Sequence, residues 1–297
     1  MRAIFFSGGG TKGIAQRGFA DELRKHGITG DVYGGVSIGA CNAFIEATGT
    51  HEKGTELFKN IDENLLWGHP YNAPNKLFGG VRGVRSMVTS SKPYLGIMKG
   101  YEAALRNLIT MEVFDEYQMS EDTPDCYVLA ARSDGEAVWW NLKDQAYEDA
   151  IKCVIASGSI PIMTPPVFIW GSYYWDGGLV SHNPGDFLLP YLKEQGHEIT
   201  EVISHYTRPK GAVMSEKNLM DMGLGEAVMQ MIAIYNANTT KEDEEDENEF
   251  CKDNNIPYFA AYTPYFSSGF YDTTKESAEI GYNLGTESAH TNYLNLK

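Results

Sequence analysis

The chain has 297 residues and a formal charge of −16, an acidity that argues against general nucleic-acid binding because phosphate repels an acidic surface. No apolar run approaches the roughly eighteen residues of a membrane-crossing helix, and the apolar opening from Met1 to Phe6 is too short for a signal-peptide core. The cytosol is therefore the expected compartment, and the length suits one large α/β unit spanning 1–297.

In chain order, Arg2–Phe6 reads as a short buried strand, followed by a tight turn at Ser7-Gly8-Gly9-Gly10. Residues 11–26 follow as a helix, with Ile14, Ala15, Gly18, Phe19 and Leu23 on one face and Gly27 placed as a C-terminal cap. A second strand over 31–33 leads into Gly34-Gly35, and a helix over 38–48 closes at Gly49. This strand–turn–helix order, repeated, implies parallel strands joined by crossover helices. Residues 65–100 are less regular. A hairpin is expected over 126–131 and Ala137–Asn141, turning at Asp134-Gly135. Tyr147–Ser157 reads as a helix, then Val167–Ile169 and 173–175 as short strands around Gly171. Residues 184–195 form a helix with Asn183 as N-cap, and 202–206 and Tyr258–Tyr262 are later strands. Between them, 218–238 predicts a Met-rich helix, and the acidic run 241–249 a solvated loop or helix end. The four cysteines lie far apart and read as buried free thiols. The seven histidines show no metal-binding spacing, so neither a metal nor another cofactor is expected.

Two glycine-rich turns carry the chemistry. Gly8-Gly9-Gly10-Thr11-Lys12-Gly13 sits between a strand and a helix, where adjacent glycines aim several N–H groups at one point. Such a nest suits a phosphate or a developing oxyanion. It also satisfies GxGxxG with Asp31 about twenty residues on, the dinucleotide fingerprint. Gly35-Val36-Ser37-Ile38-Gly39 is a GxSxG between strand and helix, the setting of a nucleophile elbow. There the serine hydroxyl is exposed on a strained turn, and the following residue, Ile38, turns its N–H toward the oxyanion. A serine needs a base. Asp176, in Trp175-Asp176-Gly177-Gly178, is the strongest candidate; His182 is the rival, with no carboxylate marked out to orient it.

From Phe6 to Ala47 the chain resembles patatin-like phospholipases: the GGGxKG loop, a small-residue helix, then GxSxGA. Ala156-Ser157-Gly158-Ser159-Ile160-Pro161, Asp176-Gly177-Gly178 and Asn183-Pro184 are similar to the family pattern in the same order. The resemblance covers roughly residues 1–210. It implies a three-layer α/β/α fold with a mostly parallel central sheet. It also implies a Ser37–Asp176 dyad without histidine, and calcium-independent hydrolysis of phospholipid or other lipid acyl esters. Gly8, Gly9, Gly10 and Ile38 would form the oxyanion hole. Thr11, Lys12, Gly13, Gly35, Gly39, Gly177 and Gly178 would support the motifs.

Two other readings use the same residues. A dinucleotide-binding protein would use the first glycines, but Asp31 starts the second strand rather than ending it. A histidine-dependent α/β-hydrolase would use His182, although its elbow normally follows more than two strands. A variable lid or rim is expected over about 50–120. Within it, residues 64–101 contain no Asp or Glu but hold Lys76, Arg82, Arg85, Lys92 and Lys99 among many apolar side chains. That mixture suits a surface resting in lipid headgroups.

Overall fold

The computed structural model describes residues 1–61, 98–161, 163–211, 224–264 and 273–297, with residues 224–233 described by their backbone alone. The described strands are β1 (Arg2–Phe6), β2 (Val32–Val36), β3 (Asp125–Arg132), β4 (Ala137–Asn141), β5 (Val167–Ile169), β6 (Ser172–Asp176), β7 (Glu201–Tyr206) and β8 (Tyr258–Tyr262). They form one sheet in the order β5-β6-β3-β2-β1-β7-β8, with β4 also paired to β3. The central pairs β3-β2, β2-β1, β1-β7 and β7-β8 are parallel, while β4, β5 and β6 add antiparallel pairs.

Side chains alternate across the sheet, as the pleat requires. On β1, Ile4 and Phe6 enter one apolar cluster and Ala3 and Phe5 the other. The first cluster is covered by α1 (Gly13–Lys25), α2 (Ile38–Ala47), α3 (His51–Lys59), α4 (Lys99–Leu108), α5 (Met111–Met119), α6 (Tyr147–Ser157) and α9 (Lys275–Asn292). The second is covered by α7 (Gly185–Glu194) and α8 (Leu224–Asp253). Helices thus lie on both faces of a mostly parallel sheet, as expected.

The register positions the site. Val36 pairs with Leu129 on β3, and the next rung, Ala130, pairs with Asp176. Because β4 spans Tyr127 to Ala131 along the other edge, β2 and β6 must share one edge of β3. β6 therefore begins where β2 stops. The residue after Val36 and the last residue of β6 are brought side by side at the C-terminal end of the parallel strands.

Several boundaries differ from expectation. β2 runs on through Gly34 and Gly35, which pair with Phe5 and Phe6; sheet pairing overrides the weak strand preference of glycine. Helix α7 starts at Gly185 with Pro184 in the cap position, although Asn183 Oδ1 still accepts from Gly185 N at 3.3 Å. Helix α8 begins at Leu224 and continues through the acidic run to Asp253, so that run is neither loop nor wholly solvated. Residues 218–223 lie outside the described residues. Asp243, Glu247 and Cys251 recur every fourth position, which puts them on one inward face. Glu247 accepts from Ser204 Oγ at 2.5 Å, Tyr258 OH at 3.0 Å and Tyr206 OH at 3.2 Å.

Burial raises the carboxyl pKa of Asp186, Asp243 and Glu247, the last to about 8, and the three repel one another. Groups that hold protons more tightly when folded stabilise the fold at low pH. That contribution is lost as pH rises from about 4, the unfolded value, through the folded value. Glu247→Gln should therefore gain thermal stability relative to the parent as pH moves from 5 to 8. An unchanged difference across that range in calorimetry would refute the assignment.

Candidate active site

Ser37 follows β2 and caps α2 with φ 56° and ψ −123°, a conformation that L-residues hold only when their surroundings enforce it. The enforcement is visible. A Cβ added at Gly35 would meet the Gly39 carbonyl oxygen at 2.1 Å, and one at Gly39 would meet the Phe6 carbonyl oxygen at 2.1 Å. Strand, turn and helix are pressed together so closely that only glycine fits at both flanks. Ser37 N donates to Ser157 Oγ at 2.9 Å, and Ser157 Oγ donates to the Leu129 carbonyl at 2.6 Å. That hydroxyl ties the elbow to α6 and β3. The N–H of Ile38 lies in the first turn of α2, where no helical carbonyl precedes it.

The glycine loop after β1 is held by buried polar groups. Thr207 Oγ1, just beyond β7, donates to the Gly8 carbonyl at 2.5 Å, and Thr207 N donates to Ser7 Oγ at 3.1 Å. Gln16 donates to the Ser7 carbonyl at 2.8 Å, while Asn42 donates to Gln16 Oε1 at 2.7 Å and to the Gly13 carbonyl at 3.0 Å. One expected donor is already engaged: Gly8 N–H bonds the His182 carbonyl at 3.0 Å. Gly9 and Gly10 are then the loop's remaining candidates. Thr11 and Lys12 lie in the short 3-10 turn that leads into α1 at Gly13. Burial, with Arg208 nearby, lowers the Lys12 pKa.

Asp176 is 6% exposed and ends β6, its N–H bonded to the Ser159 carbonyl at 2.8 Å. Its carboxylate accepts from Gly178 N at 2.7 Å. Burial raises its pKa to about 7, against the Ser37 side chain beside it and the Gly178 N–H, which lower it. Gly177 and Gly178 open the 3-10 turn that follows.

His182, whose place beside Asn183-Pro184 suits a surface or capping residue, is buried. Its ring packs beside Gly8 and Gly178, so it walls the site. Burial, with Arg208 nearby, lowers its pKa to about 4, which keeps it neutral at pH 7. The Asn236 side chain works in the opposite sense on that pKa, and Nε2 has no hydrogen-bond partner among the described residues. Asp243 instead accepts from the backbone N–H of His182 at 2.7 Å and of Asn183 at 3.1 Å. Asp31 sits at the far end of the sheet from the glycine loop, accepting from Arg2 N at 2.6 Å.

The patatin-like phospholipase family model matches residues 4–189, which contain both motifs, Ser157 and Asp176. The chain belongs to this family. No curated protein sequence matches it. Among solved structures, VipD from Legionella pneumophila is similar with a TM-score of 0.47 and 14% identity, over 98% of this chain and 67% of that one. The effector ExoU of the Pseudomonas aeruginosa type III secretion system has a TM-score of 0.42 and 15% identity, over 97% and 52%. Human GIVD cytosolic phospholipase A2, in complex with a fluorophosphonate inhibitor, has a TM-score of 0.43 and 10% identity, over 98% and 57%. This chain thus spans between about half and two thirds of those proteins. Family membership is a statement about lipid acyl hydrolases as a class, and no described helix is long and apolar enough to cross a membrane.

Sequence reasoning missed Gln16, Asn42, Thr207 and Asp243, which hold the loops and carry no motif. Most of the segment 64–101 lies outside the described residues. Of its described end, Met98 packs against the core and Tyr101 is buried within it, so both serve packing. Ser157→Ala removes one bridge and strands a buried N–H and a buried carbonyl. Each stranded buried group costs about 1–3 kcal/mol. Denaturant unfolding should register a loss in that range, and a change below about 0.5 kcal/mol would remove Ser157 from this role.

Proposed function

We propose that the chain is a serine lipid acyl hydrolase of phospholipase A or lysophospholipase type, with Ser37 as nucleophile and Asp176 as its base. The observation that carries the reading is the register on β3, which sets Val36 and Asp176 on adjacent rungs and so brings Ser37 beside a buried carboxylate whose pKa burial raises to about 7. A base poised near the working pH is half-ready to accept a proton and strong enough to take one.

In this reading the reaction is a two-step acyl transfer. Asp176 accepts the Ser37 proton as Oγ bonds to the ester carbonyl carbon. The carbonyl π electrons move to oxygen, and the N–H groups of Gly9, Gly10 and Ile38 stabilise that oxyanion. Collapse breaks the ester C–O bond, and Asp176 returns the proton to the leaving alcohol. Water then attacks the acyl-enzyme, giving its proton to Asp176, and the acid departs as Ser37 is restored.

The lipid surface needs a docking face. The β5–β6 hairpin extends beyond the last β2 rung, past the catalytic end of the sheet. At its tip Trp170 and Gly171 both hold positive φ, and Phe168, Trp170 and Tyr173 are more than half exposed. Such aromatics suit a headgroup interface, apolar in body with polar edges on Trp and Tyr. They would form part of the rim of a cytoplasmic enzyme that meets membranes peripherally. The whole chain would act as one unit, with the lid or rim within about 50–120.

Ser37→Ala and Asp176→Asn should each lower ester hydrolysis about a thousandfold or more while the fold persists. His182→Ala should retain most activity. Equal loss in a folded His182→Ala protein would favour the histidine-dependent reading. Because the carboxylate form of Asp176 is required, kcat/KM on a soluble ester should fall as pH drops through about 7. A flat profile between pH 5.5 and 8.5 would count against Asp176 as base. Phe168, Trp170 and Tyr173 changed together to Ser should weaken sedimentation with phosphatidylcholine vesicles and slow their hydrolysis. The same protein should cleave a soluble ester normally; parallel losses on both substrates would remove the hairpin from docking.

A further inference from the structure

Glu22 and His26 stand one turn apart on the last half of α1 and at its C-terminal cap, and His290 lies in the last turn of α9. Their ligand atoms converge: Glu22 Oε1 is 3.0 Å from His290 Nε2 and 3.4 Å from His26 Nε2, and all three lie within 4.8 Å of one another. In a tetrahedron with metal–ligand bonds of 2.0–2.1 Å, neighbouring ligand atoms are about 3.3 Å apart. The two contacts from Glu22 straddle that value. The imidazole rings meet edge to face with centroids 5.7 Å apart.

The two helices that supply these groups are pinned before any ion arrives. A Cβ added at Gly18 of α1 would fall 2.0 Å from the Tyr282 carbonyl oxygen, and one at Gly285 of α9 would fall 1.8 Å from the Ala15 carbonyl oxygen. The backbones touch across paired glycines. Tyr282 OH adds a hydrogen bond to Asp21 at 3.0 Å. The cluster is therefore held by the helix packing rather than by three mobile side chains. Glu22 is largely buried, and both histidine side chains are nearly half exposed. An ion has an entry path, and a fourth position faces solvent.

We propose that Glu22, His26 and His290 bind a divalent cation of the zinc type, with water as fourth ligand. Two imidazole nitrogens and one carboxylate oxygen favour zinc and its late first-row neighbours over calcium or magnesium, which prefer all-oxygen shells. The site is structural. Helix α1 rises about 20 Å between Gly13 and His26, so the ion sits far from Ser37. It clamps α9, which lies beyond the family match, onto α1 within it. Lys25 Nζ holds the other carboxylate oxygen of Glu22 at 2.9 Å and weakens the site by its charge.

The test is zinc chloride titrated into the full chain by calorimetry in a non-coordinating buffer, with thermal unfolding beside it. One Zn²⁺ per chain should bind, raising the thermal midpoint. His26→Ala and His290→Ala should each weaken binding at least about tenfold, since even outer-shell partners of a metal ligand are worth that much. Neither variant should then show the zinc-dependent rise. Lys25→Ala should bind more tightly. Cobalt substituted for zinc should give the visible bands of a tetrahedral N/O site in the parent and lose them in both histidine variants. Where an alanine variant fails to fold, His26→Gln and His290→Gln replace it. The proposal is overturned if the parent binds no zinc tighter than about 1 mM, or if the histidine variants bind as the parent does.

Discussion

A carboxylate taken out of water with no cation beside it is held at high free energy, and among the described residues Asp176 is such a group. The described groups that favour its charge are the Ser37 side chain and the Gly178 N–H, too few to offset burial, so its pKa rises to about 7. A group in this state would swing toward solvent if its backbone allowed. It is prevented by position: Asp176 is the last residue of a strand, its N–H bonded to Ser159 and its rung set by Ala130. Ser37 is fixed in the same way from the neighbouring strand, at a backbone conformation costing about 1–3 kcal/mol. Val36, which precedes Ser37, and Asp176 sit on adjacent rungs of β3. The central sheet therefore holds a strained serine against a desolvated carboxylate, and in the proposed reading that pairing is what makes the hydroxyl reactive.

The glycine loop is bound to the same scaffold through an indirect path. Asp243 on α8 accepts from the His182 N–H, and the His182 carbonyl accepts from Gly8 N–H. Thr207 at the end of β7 closes the loop from the other side. Helix α8 lies outside residues 4–189, yet its buried face reaches the first motif of the chain. The C-terminal third thus supports the site from behind, by hydrogen bonds to backbone rather than by side chains aimed at substrate.

The candidate site was legible in the sequence where it depends on local backbone geometry. The GxSxG turn, the glycine loop and Asp176-Gly177-Gly178 each need small residues at fixed offsets, and such needs are written in neighbouring letters. The strands and the 126–141 hairpin followed from short apolar runs and turn residues. What stayed hidden depends on partners far along the chain. The acidic run 241–249 looks solvated by composition, because nothing nearby reveals that Ser204, Tyr206 and Tyr258 will meet Glu247. His182 looks like a surface residue beside an Asn-Pro turn until the glycine loop packs against it. Likewise His26 and His290 are scattered in sequence and converge only when α9 lies on α1. The engagement of Gly8 N–H escaped for the same reason, since its acceptor is 174 residues away.

Acidity and a lipid substrate are not in conflict once burial is counted. The formal charge of −16 treats all forty acidic side chains as ionised. Asp176, Asp186, Asp243 and Glu247 are buried with pKa values raised to between about 7 and 8, so near neutrality they carry only part of that charge. The remaining negative charge is spread over the outer surface and still disfavours an anionic bilayer. In the proposed reading, attraction to lipid then comes from apolar contact more than from charge. The described residues at the end of the sheet that holds the candidate site fit that requirement: Phe168, Trp170 and Tyr173 lie on a short hairpin that turns through a positive-φ pair. A rigid tip loses little conformational entropy on entering a headgroup layer, and each aromatic buries a large apolar area at once. In the proposed reading, repulsion of the acidic side chains by an anionic bilayer would then leave the aromatic hairpin as the part that meets the membrane.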